Sequence, residues 1–146
     1  MFQSFFPQPK LFFSSLALWS AVLIIVWYSF GKTIGGALGF DLTETETVIG
    51  LGHFITSEFL WFDTFFAFGA LAFFFVWRSR SPHEWQVWSV LGSALLIYLS
   101  YASVQVSVVI NAWYGPFYND IQTALTGDGG ITAGDLYGHF LVFCTI

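Results

Sequence analysis

Apolar residues along this chain fall into three long runs separated by short polar segments. Leu11 to Phe30 carries no charge, and Phe59 to Trp77 is interrupted only by Asp63. A third run extends from about Val87 to Ile110, with Ser, Tyr and Gln scattered through it. A helix crosses the ~30 Å hydrocarbon core of a bilayer with ~20 residues at 1.5 Å per residue. The pattern therefore predicts three membrane-spanning helices and an all-α fold.

A fourth helix is predicted close to the end of the sequence. The chain turns between Gly127 and Gly130, and Thr132 followed by Asp135 is typical of a capping box that opens a helix from about residue 133. The apolar residues between there and Ile146 are too few to cross a bilayer. We therefore expect one membrane domain over residues 1–146, with its fourth helix cut off, as the fragment of a longer protein.

Composition agrees with a membrane protein and excludes several other classes. The chain of 146 residues is 56% hydrophobic, 22% aromatic and 9% charged, whereas a soluble domain is about one quarter charged. Its net charge is -5 with only four Lys and Arg residues, which does not suit nucleic acid, because phosphate binding needs clustered cations. A single cysteine, Cys144, excludes an internal disulfide. Membrane lipid is the expected partner.

The few cations predict the orientation of the chain. Lys10 precedes the first run, and Arg78 with Arg80 follows the second, whereas the other connections carry only Lys32 among several acidic residues. Because Lys and Arg are retained on the cytoplasmic side, the amino terminus is expected to face the cytoplasm.

Nothing in the sequence predicts a metal, a cofactor or catalysis. The three histidines, His53, His83 and His139, are dispersed over different segments without the spacing of a metal site. The tripeptide from Gly31 to Thr33 resembles the end of a phosphate-binding loop, but Val26 stands where that loop needs a glycine. No nucleophile lies beside a base, so an enzyme is not expected.

The third apolar run combines two polar faces. At about 100° per residue, its serines and an asparagine fall within a stripe about 80° wide, while Tyr98 and Gln105 lie on nearly the opposite face. The stripe permits close helix packing, and it would equally suit the wall of a wet cavity. We take the following as candidate cavity or packing residues: Ser93, Ser100, Ser103, Ser107 and Asn111, together with Gln105.

Two carboxylates are candidates for proton coupling. An ionised Asp63 at mid-bilayer would cost roughly 2.5 to 3.5 kcal/mol and so requires compensation, although it lies only about a turn inside if the span begins at Phe59. Both a proton-carrying and an interfacial carboxylate fit the sequence. Glu58, five residues earlier, points about 140° away and suits a solvated flank. The short segment from Ser81 to Glu84 predicts a helix start, with Ser as its N-cap.

A family resemblance is carried by three blocks, namely MFQSFFPQP at Met1–Pro9, SPHEWQVWSVL at Ser81–Leu91 and NAWYGPFYNDIQTAL at Asn111–Leu125. They resemble the SbmA/BacA peptide-uptake transporters. The third block is the most specific, and it supplies the family-motif residues Trp113, Tyr114, Pro116 and Tyr118.

The resemblance implies a homodimeric importer of antimicrobial and other peptides in the bacterial inner membrane. Such a protein is built like the membrane half of an export-type ABC transporter, lacks a nucleotide-binding domain and is driven by the proton gradient. Asn111–Leu125 would be the outer turn after the first core helix. An authentic stop after Ile146 would instead indicate a small membrane protein that binds or regulates a full-length partner.

Overall fold

The computed structural model describes residues 8–43, 48–127 and 130–146. Most of the amino-terminal family block and the acidic residues Glu44, Glu46 and Asp128 lie outside these ranges. The described residues form helices and connecting segments without a strand, so the predicted all-α fold is confirmed. The α-helices are α1 (Pro9–Ala37), α2 (Ser57–Arg80), α3 (Ser93–Thr126) and α4 (Ala133–Phe143), with a 3₁₀ turn at Leu51–Ile55 and a π-helical segment at Val87–Gly92.

Three of these helices are long and apolar enough to cross a membrane. They are α1, α2 and the continuous helical stretch Val87–Thr126 formed by the π-helical segment and α3. That stretch has 40 residues, which at 1.5 Å each is about 60 Å, against about 30 Å of hydrocarbon. Aligned with the membrane normal, roughly half of it would extend beyond the bilayer.

Charged residues bracket both shorter spans at the same separation. Lys10 and Lys32 of α1 are 32 - 10 = 22 residues apart, and Glu58 and Arg80 of α2 are 80 - 58 = 22 residues apart. Each separation is about 33 Å along a helix and so matches one hydrocarbon thickness. Because α1 and α2 are antiparallel, Lys10 and Arg80 mark one membrane surface, the Lys10 end, and Lys32 and Glu58 mark the other, the Lys32 end.

Glycines and indoles join α1 to α2. The Trp19 Nε1–H donates to the carbonyl of Gly69 at 3.0 Å, and the Trp61 Nε1–H donates to that of Gly31 at 3.0 Å. A Cβ atom at Gly35 would stand 2.9 Å from Trp61 Nε1, so only glycine permits this approach. Small residues bring helix backbones together in the bilayer, where no hydrophobic effect between helices helps.

The buried core lies towards the Lys10 end, where α1, α2 and the π-helical segment meet. Its rings pack edge to face or tilted, with the centroids of Phe12 and Phe73 5.6 Å apart and those of Phe12 and Trp77 5.2 Å apart. These geometries are favoured by the ring quadrupoles. The buried members of this cluster are Phe12, Phe73, Phe74, Trp77 and Val90.

The helix start predicted at Ser81–Glu84 is wrong. The backbone N–H of Ser81 bonds to the carbonyl of Trp77 at 2.9 Å, so Ser81 closes α2 instead of opening the next helix. His83 takes the capping role, because its Nδ1 accepts from the backbone N–H of Trp85 at 3.2 Å. Helical structure begins only after this turn.

The outer turn expected at Asn111–Leu125 is also wrong, because α3 continues through it to Thr126. Pro116 lies inside the helix and removes one backbone donor without ending it. The helix ends at Gly127, whose φ of 70° is the left-handed conformation that glycine adopts without strain. The predicted capping box follows: Thr132 N donates to Asp135 Oδ2 at 2.7 Å, and Asp135 N donates back to Thr132 Oγ1 at 3.4 Å.

Candidate functional site

Asp63 meets a tyrosine from the neighbouring span. The hydroxyl of Tyr98 in α3 donates to Asp63 Oδ2 at 3.2 Å. The second oxygen, Oδ1, is buried and accepts no hydrogen bond. Asp63 lies five residues, about 7.5 Å, inside the level of Glu58. Taking Glu58 as the membrane surface, this carboxyl lies inside the hydrocarbon region, nearer to the Lys32 end than to its centre.

Aromatic rings cover this contact between α2 and α3. Tyr101 stacks on Phe62 at a centroid distance of 4.1 Å and on Phe59 at 6.0 Å. Phe66 lies 5.9 Å from the ring of Tyr98. Phenol rings suit such a place because each brings one polar atom within a large apolar surface.

A second polar contact lies at the Lys32 end of the same interface. His53, in the 3₁₀ turn before α2, has its Nε2 3.0 Å from Gln105 Oε1 of α3, so the imidazole donates in the tautomer that protonates this nitrogen. The His53 ring also packs against Phe59 at 5.9 Å. Gln105 is therefore fixed towards α2.

Together these groups form what we call the polar seam: His53, Gln105, Tyr101, Asp63 and Tyr98. Its three α3 members follow at intervals of three and four residues and so lie on one helical face. His53 and Gln105 lie near the level of the membrane surface, and the Asp63–Tyr98 pair lies deepest. The seam thus leads titratable and hydrogen-bonding side chains from one membrane surface into the bilayer.

Glu58 is not a member of the seam, although its charge acts on the seam residue Tyr101. It is exposed, and it lines a cavity on the α1 side of α2 together with Lys32. Asp63 instead faces α3. The two candidate carboxylates therefore occupy different faces of α2, as their spacing predicts, and the structure does not bring them together.

The serine stripe and Gln105, taken together from the sequence, lie on different faces of α3. Ser100, Ser103, Ser107 and Asn111 are exposed, away from the seam. Two of the serine hydroxyls bond to carbonyls of their own helix. Ser100 donates to the carbonyl of Leu96 at 2.9 Å, and Ser107 donates to that of Ser103 at 3.2 Å. Ser93 donates in the same way to the carbonyl of Ser89 at 2.8 Å.

Beyond the bilayer, α3 contacts α4 through a second set of residues. We call this set the clamp: Trp113, Asp120 and His139. His139 Nε2 lies 2.7 Å from Asp120 Oδ2. The Trp113 Nε1–H donates to the backbone carbonyl of His139 at 2.8 Å, and its ring lies 4.5 Å from that of Phe117. Neither Asp120 nor His139 was singled out from the sequence for this contact, because residues 19 positions apart give no local signal.

The other family-motif residues surround the clamp. Tyr114 and Tyr118 stack on each other at 5.7 Å on the exposed side of α3, and Pro116 lies between them in the helix. Trp113 is buried and points towards α4. Over residues 8–43, 48–127 and 130–146, no three His, Cys, Asp or Glu side chains gather as a metal site would require.

These features define a multi-pass helical membrane protein whose spans hold polar side chains between them. The family model of the SbmA/BacA-like family matches residues 82–146. The suspected resemblance is thereby confirmed, and the chain is consistent with a member of the SbmA/BacA-like family. The match includes the clamp and the α3 side of the seam, whereas His53 and Asp63 precede it. It points to a family of peptide-uptake transporters and not to an enzyme family.

Proposed function

We propose that the protein imports peptides, antimicrobial peptides among them, across the bacterial inner membrane, as part of a homodimeric SbmA/BacA-like transporter driven by the proton gradient. The match over residues 82–146 and the three spans support the transport of peptides. The observation that carries proton coupling is the Asp63 carboxyl, held by Tyr98 through one oxygen and buried without a partner at the other.

Asp63 suits proton coupling because its two protonation states differ in both charge and hydrogen bonding. Loss of the proton leaves a charge inside the membrane with one hydroxyl donor, at a cost below the roughly 2.5 to 3.5 kcal/mol that applies at mid-bilayer, because Asp63 lies nearer to the surface. Gain of the proton removes the charge and makes the carboxyl a donor. Gain or loss of the proton therefore alters the contact between α2 and α3. A proton-coupled transporter needs a helix contact that depends on protonation in this way.

The seam also supplies a route for the proton. With Lys10, Arg78 and Arg80 at the cytoplasmic surface, the Lys32 end faces outwards. His53 then lies at the outer end of the seam, and an imidazole can accept a proton on one ring nitrogen and donate one from the other. From there Gln105 and Tyr101 lead inward to the Asp63–Tyr98 pair. Glu58 lies off this route and is the weaker candidate.

The serine stripe is proposed to face the transport cavity or a second protomer. Its exposed small side chains allow another helix to approach closely, and their hydroxyls can also line water. Gln105 does not take part, because it belongs to the seam. The motif tyrosines, Tyr114 and Tyr118, continue the exposed surface of α3 beyond the membrane.

Uptake into proteoliposomes tests this function. The complete gene product is reconstituted, and entry of a fluorescently labelled peptide is followed with and without a pH gradient that is acid outside. We expect the gradient to drive uptake. Asp63→Asn is expected to lower gradient-driven uptake at least about tenfold, equivalent to about 1.4 kcal/mol. Asp41→Asn is the matched control, since Asp41 is exposed and bonds only to Thr43 nearby, and it should transport normally.

Two results would contradict the proposal. Peptide uptake that ignores the pH gradient in the wild-type protein removes proton coupling altogether. Gradient-driven uptake by Asp63→Asn at the level of Asp41→Asn removes Asp63 from the coupling path and leaves the importer itself intact.

A further inference from the structure

A cavity of about 370 Å³ lies between α1 and α2 at the Lys32 end. Its size is within the ~300–1,000 Å³ that small-molecule pockets occupy. Trp27 and Tyr28 of α1 and Trp61 of α2 line it with aromatic surface, and Lys32 and Glu58 supply one charge of each sign. None of these side chains belongs to the polar seam.

The two indoles of this aromatic wall are fixed in place, whereas Tyr28 is 85% exposed. Trp61 is only 3% exposed, its Nε1–H bonds to the carbonyl of Gly31 at 3.0 Å, and its ring stacks on Trp27 at 6.1 Å. Gly35 brings α1 so close that an added Cβ would contact this indole. A ligand would therefore meet a preformed surface, which reduces the ordering cost of binding.

The two charged residues share the cavity without neutralising each other. Within the described part of the chain the one ion pair at 4.0 Å or less is that between His139 and Asp120, so Lys32 and Glu58 stand farther apart than a salt bridge. A ligand that spans the gap must carry an anionic group for Lys32 and a cationic group for Glu58. Its chemistry is therefore zwitterionic.

The depth of the cavity indicates the source of that zwitterion. Lys32 and Glu58 each lie about 33 Å along a helix from the charged residue at the opposite surface, which places both at the level of the lipid head groups. Zwitterionic phospholipid is the ligand held at this level at the highest local concentration. Tryptophan and tyrosine belong at the same level.

We propose that this cavity binds the head group of phosphatidylethanolamine, with its phosphate on Lys32 and its ammonium on Glu58. An ethanolamine ammonium has N–H donors for the Glu58 carboxylate, and charge-assisted bonds of this type are the strong ones. The quaternary ammonium of choline has none. The site would tie α1 to α2 through a bound lipid, and it holds whether or not the protein carries peptides.

Native mass spectrometry of the complete, detergent-purified protein tests the site. The protein is supplied with equal amounts of dioleoyl phosphatidylethanolamine and dioleoyl phosphatidylcholine, and the lipids retained per chain are counted. We expect one retained phosphatidylethanolamine, with a preference of about fivefold, the ratio that corresponds to about 1 kcal/mol. Equal retention of the two lipids by the wild-type protein would overturn the assignment.

Variants separate the two contacts and guard against misfolding. Glu58→Gln should abolish the preference for ethanolamine while lipid is still retained, and Lys32→Gln should lower retention of both lipids. Lys32→Arg keeps the phosphate contact and should behave as the wild type. Lys10→Gln and Glu84→Gln remove the same charges outside the cavity and are the matched controls. If Lys32→Gln and Glu58→Gln bind as these controls do, the cavity is not the site.

Discussion

The seam and the clamp are two ways of joining α3 to a neighbour, one inside the bilayer and one outside it. In the seam, polar atoms are enclosed by aromatic rings, and Asp63 Oδ1 has no donor. In the clamp, Asp120 and His139 face each other at 2.7 Å with side chains 30% and 22% exposed. In the clamp the carboxylate faces an imidazole nitrogen directly, whereas the seam leaves one carboxylate oxygen without a donor.

This difference indicates different roles: the clamp holds α3 against α4, whereas the contact between α2 and α3 in the seam can change with the protonation of Asp63. An exposed ion pair contributes about 0 to 1 kcal/mol and is screened by salt, so the clamp depends mainly on the buried Trp113. A carboxyl that lacks a hydrogen-bond partner between two membrane helices lowers stability. Such a group is kept in a protein when its function requires it.

Trp113→Phe should weaken the clamp most. It removes the Nε1–H that bonds to the His139 carbonyl at 2.8 Å and leaves space beside Phe143, which we expect to cost about 1 to 3 kcal/mol. Denaturant unfolding in detergent, followed by circular dichroism, measures the loss. Tyr114→Phe on the exposed face is the control and should stay within about 0.5 kcal/mol. Equal effects of the two variants would contradict a buried anchor.

The seam pair should show a smaller coupling that salt does not change. In a double-mutant cycle with Tyr98→Phe and Asp63→Asn, we expect a coupling free energy of about 0.6 kcal/mol and no more than about 1.7, the range for hydrogen bonds between membrane helices. Unfolding is measured at low and at high salt. A coupling that falls as salt rises would place this pair in water.

The clamp pair should respond to salt in the opposite way. With His139 in its protonated form, the cycle of Asp120→Asn and His139→Gln is expected to give about 0.2 to 1 kcal/mol at low ionic strength. It should shrink at high salt, because partly exposed charges are screened. The same unfolding measurement serves, and a value untouched by salt would count against an ion pair between these residues.

The smallest effect concerns the start of α4. The backbone N–H of Thr132 and then its hydroxyl hold the pKa of Asp135 below its ordinary 3.8. Because the folded pKa is the lower one, this cap contributes its full stability above 3.8 and loses it as the pH falls through the lowered pKa. Hydrogen exchange at Leu136 should therefore be constant from pH 7 to about 5, after correction for intrinsic rates, and faster below 3.8. Asp135→Asn should remove that pH dependence, and a wild-type transition well above 3.8 would contradict the sign.

Local and compositional signals predicted the spans and the opening of α4. Runs of about twenty apolar residues have few alternatives to a bilayer, and the Thr132–Asp135 box involves only four positions. The full length of α3 could not be predicted in this way, because the residues after Ile110 are more polar and the family resemblance implied an outer turn there. In the structure α4 packs against this part of α3, and the helix continues until Gly127.

The seam was predicted only in part. Tyr98 and Gln105 were placed on the face opposite the serines, and adding Tyr101 by helical spacing would have outlined the α3 side. What they meet is decided by the packing of α2: Asp63 is 35 residues from Tyr98, and His53 is 52 residues from Gln105. Such pairings are set by tertiary structure, and the periodicity of the sequence does not reveal them.

Cysteine labelling tests whether α3 carries the seam inside the bilayer and the clamp outside it. With Cys144→Ser as background, single cysteines replace Leu96 and Tyr118, which are 67% and 53% exposed on α3 and about 33 Å apart. With the orientation proposed above, a membrane-impermeant maleimide added to intact cells should label Tyr118→Cys and leave Leu96→Cys unmodified until the membrane is dissolved and the protein denatured. Equal labelling of both positions before that step would contradict the account.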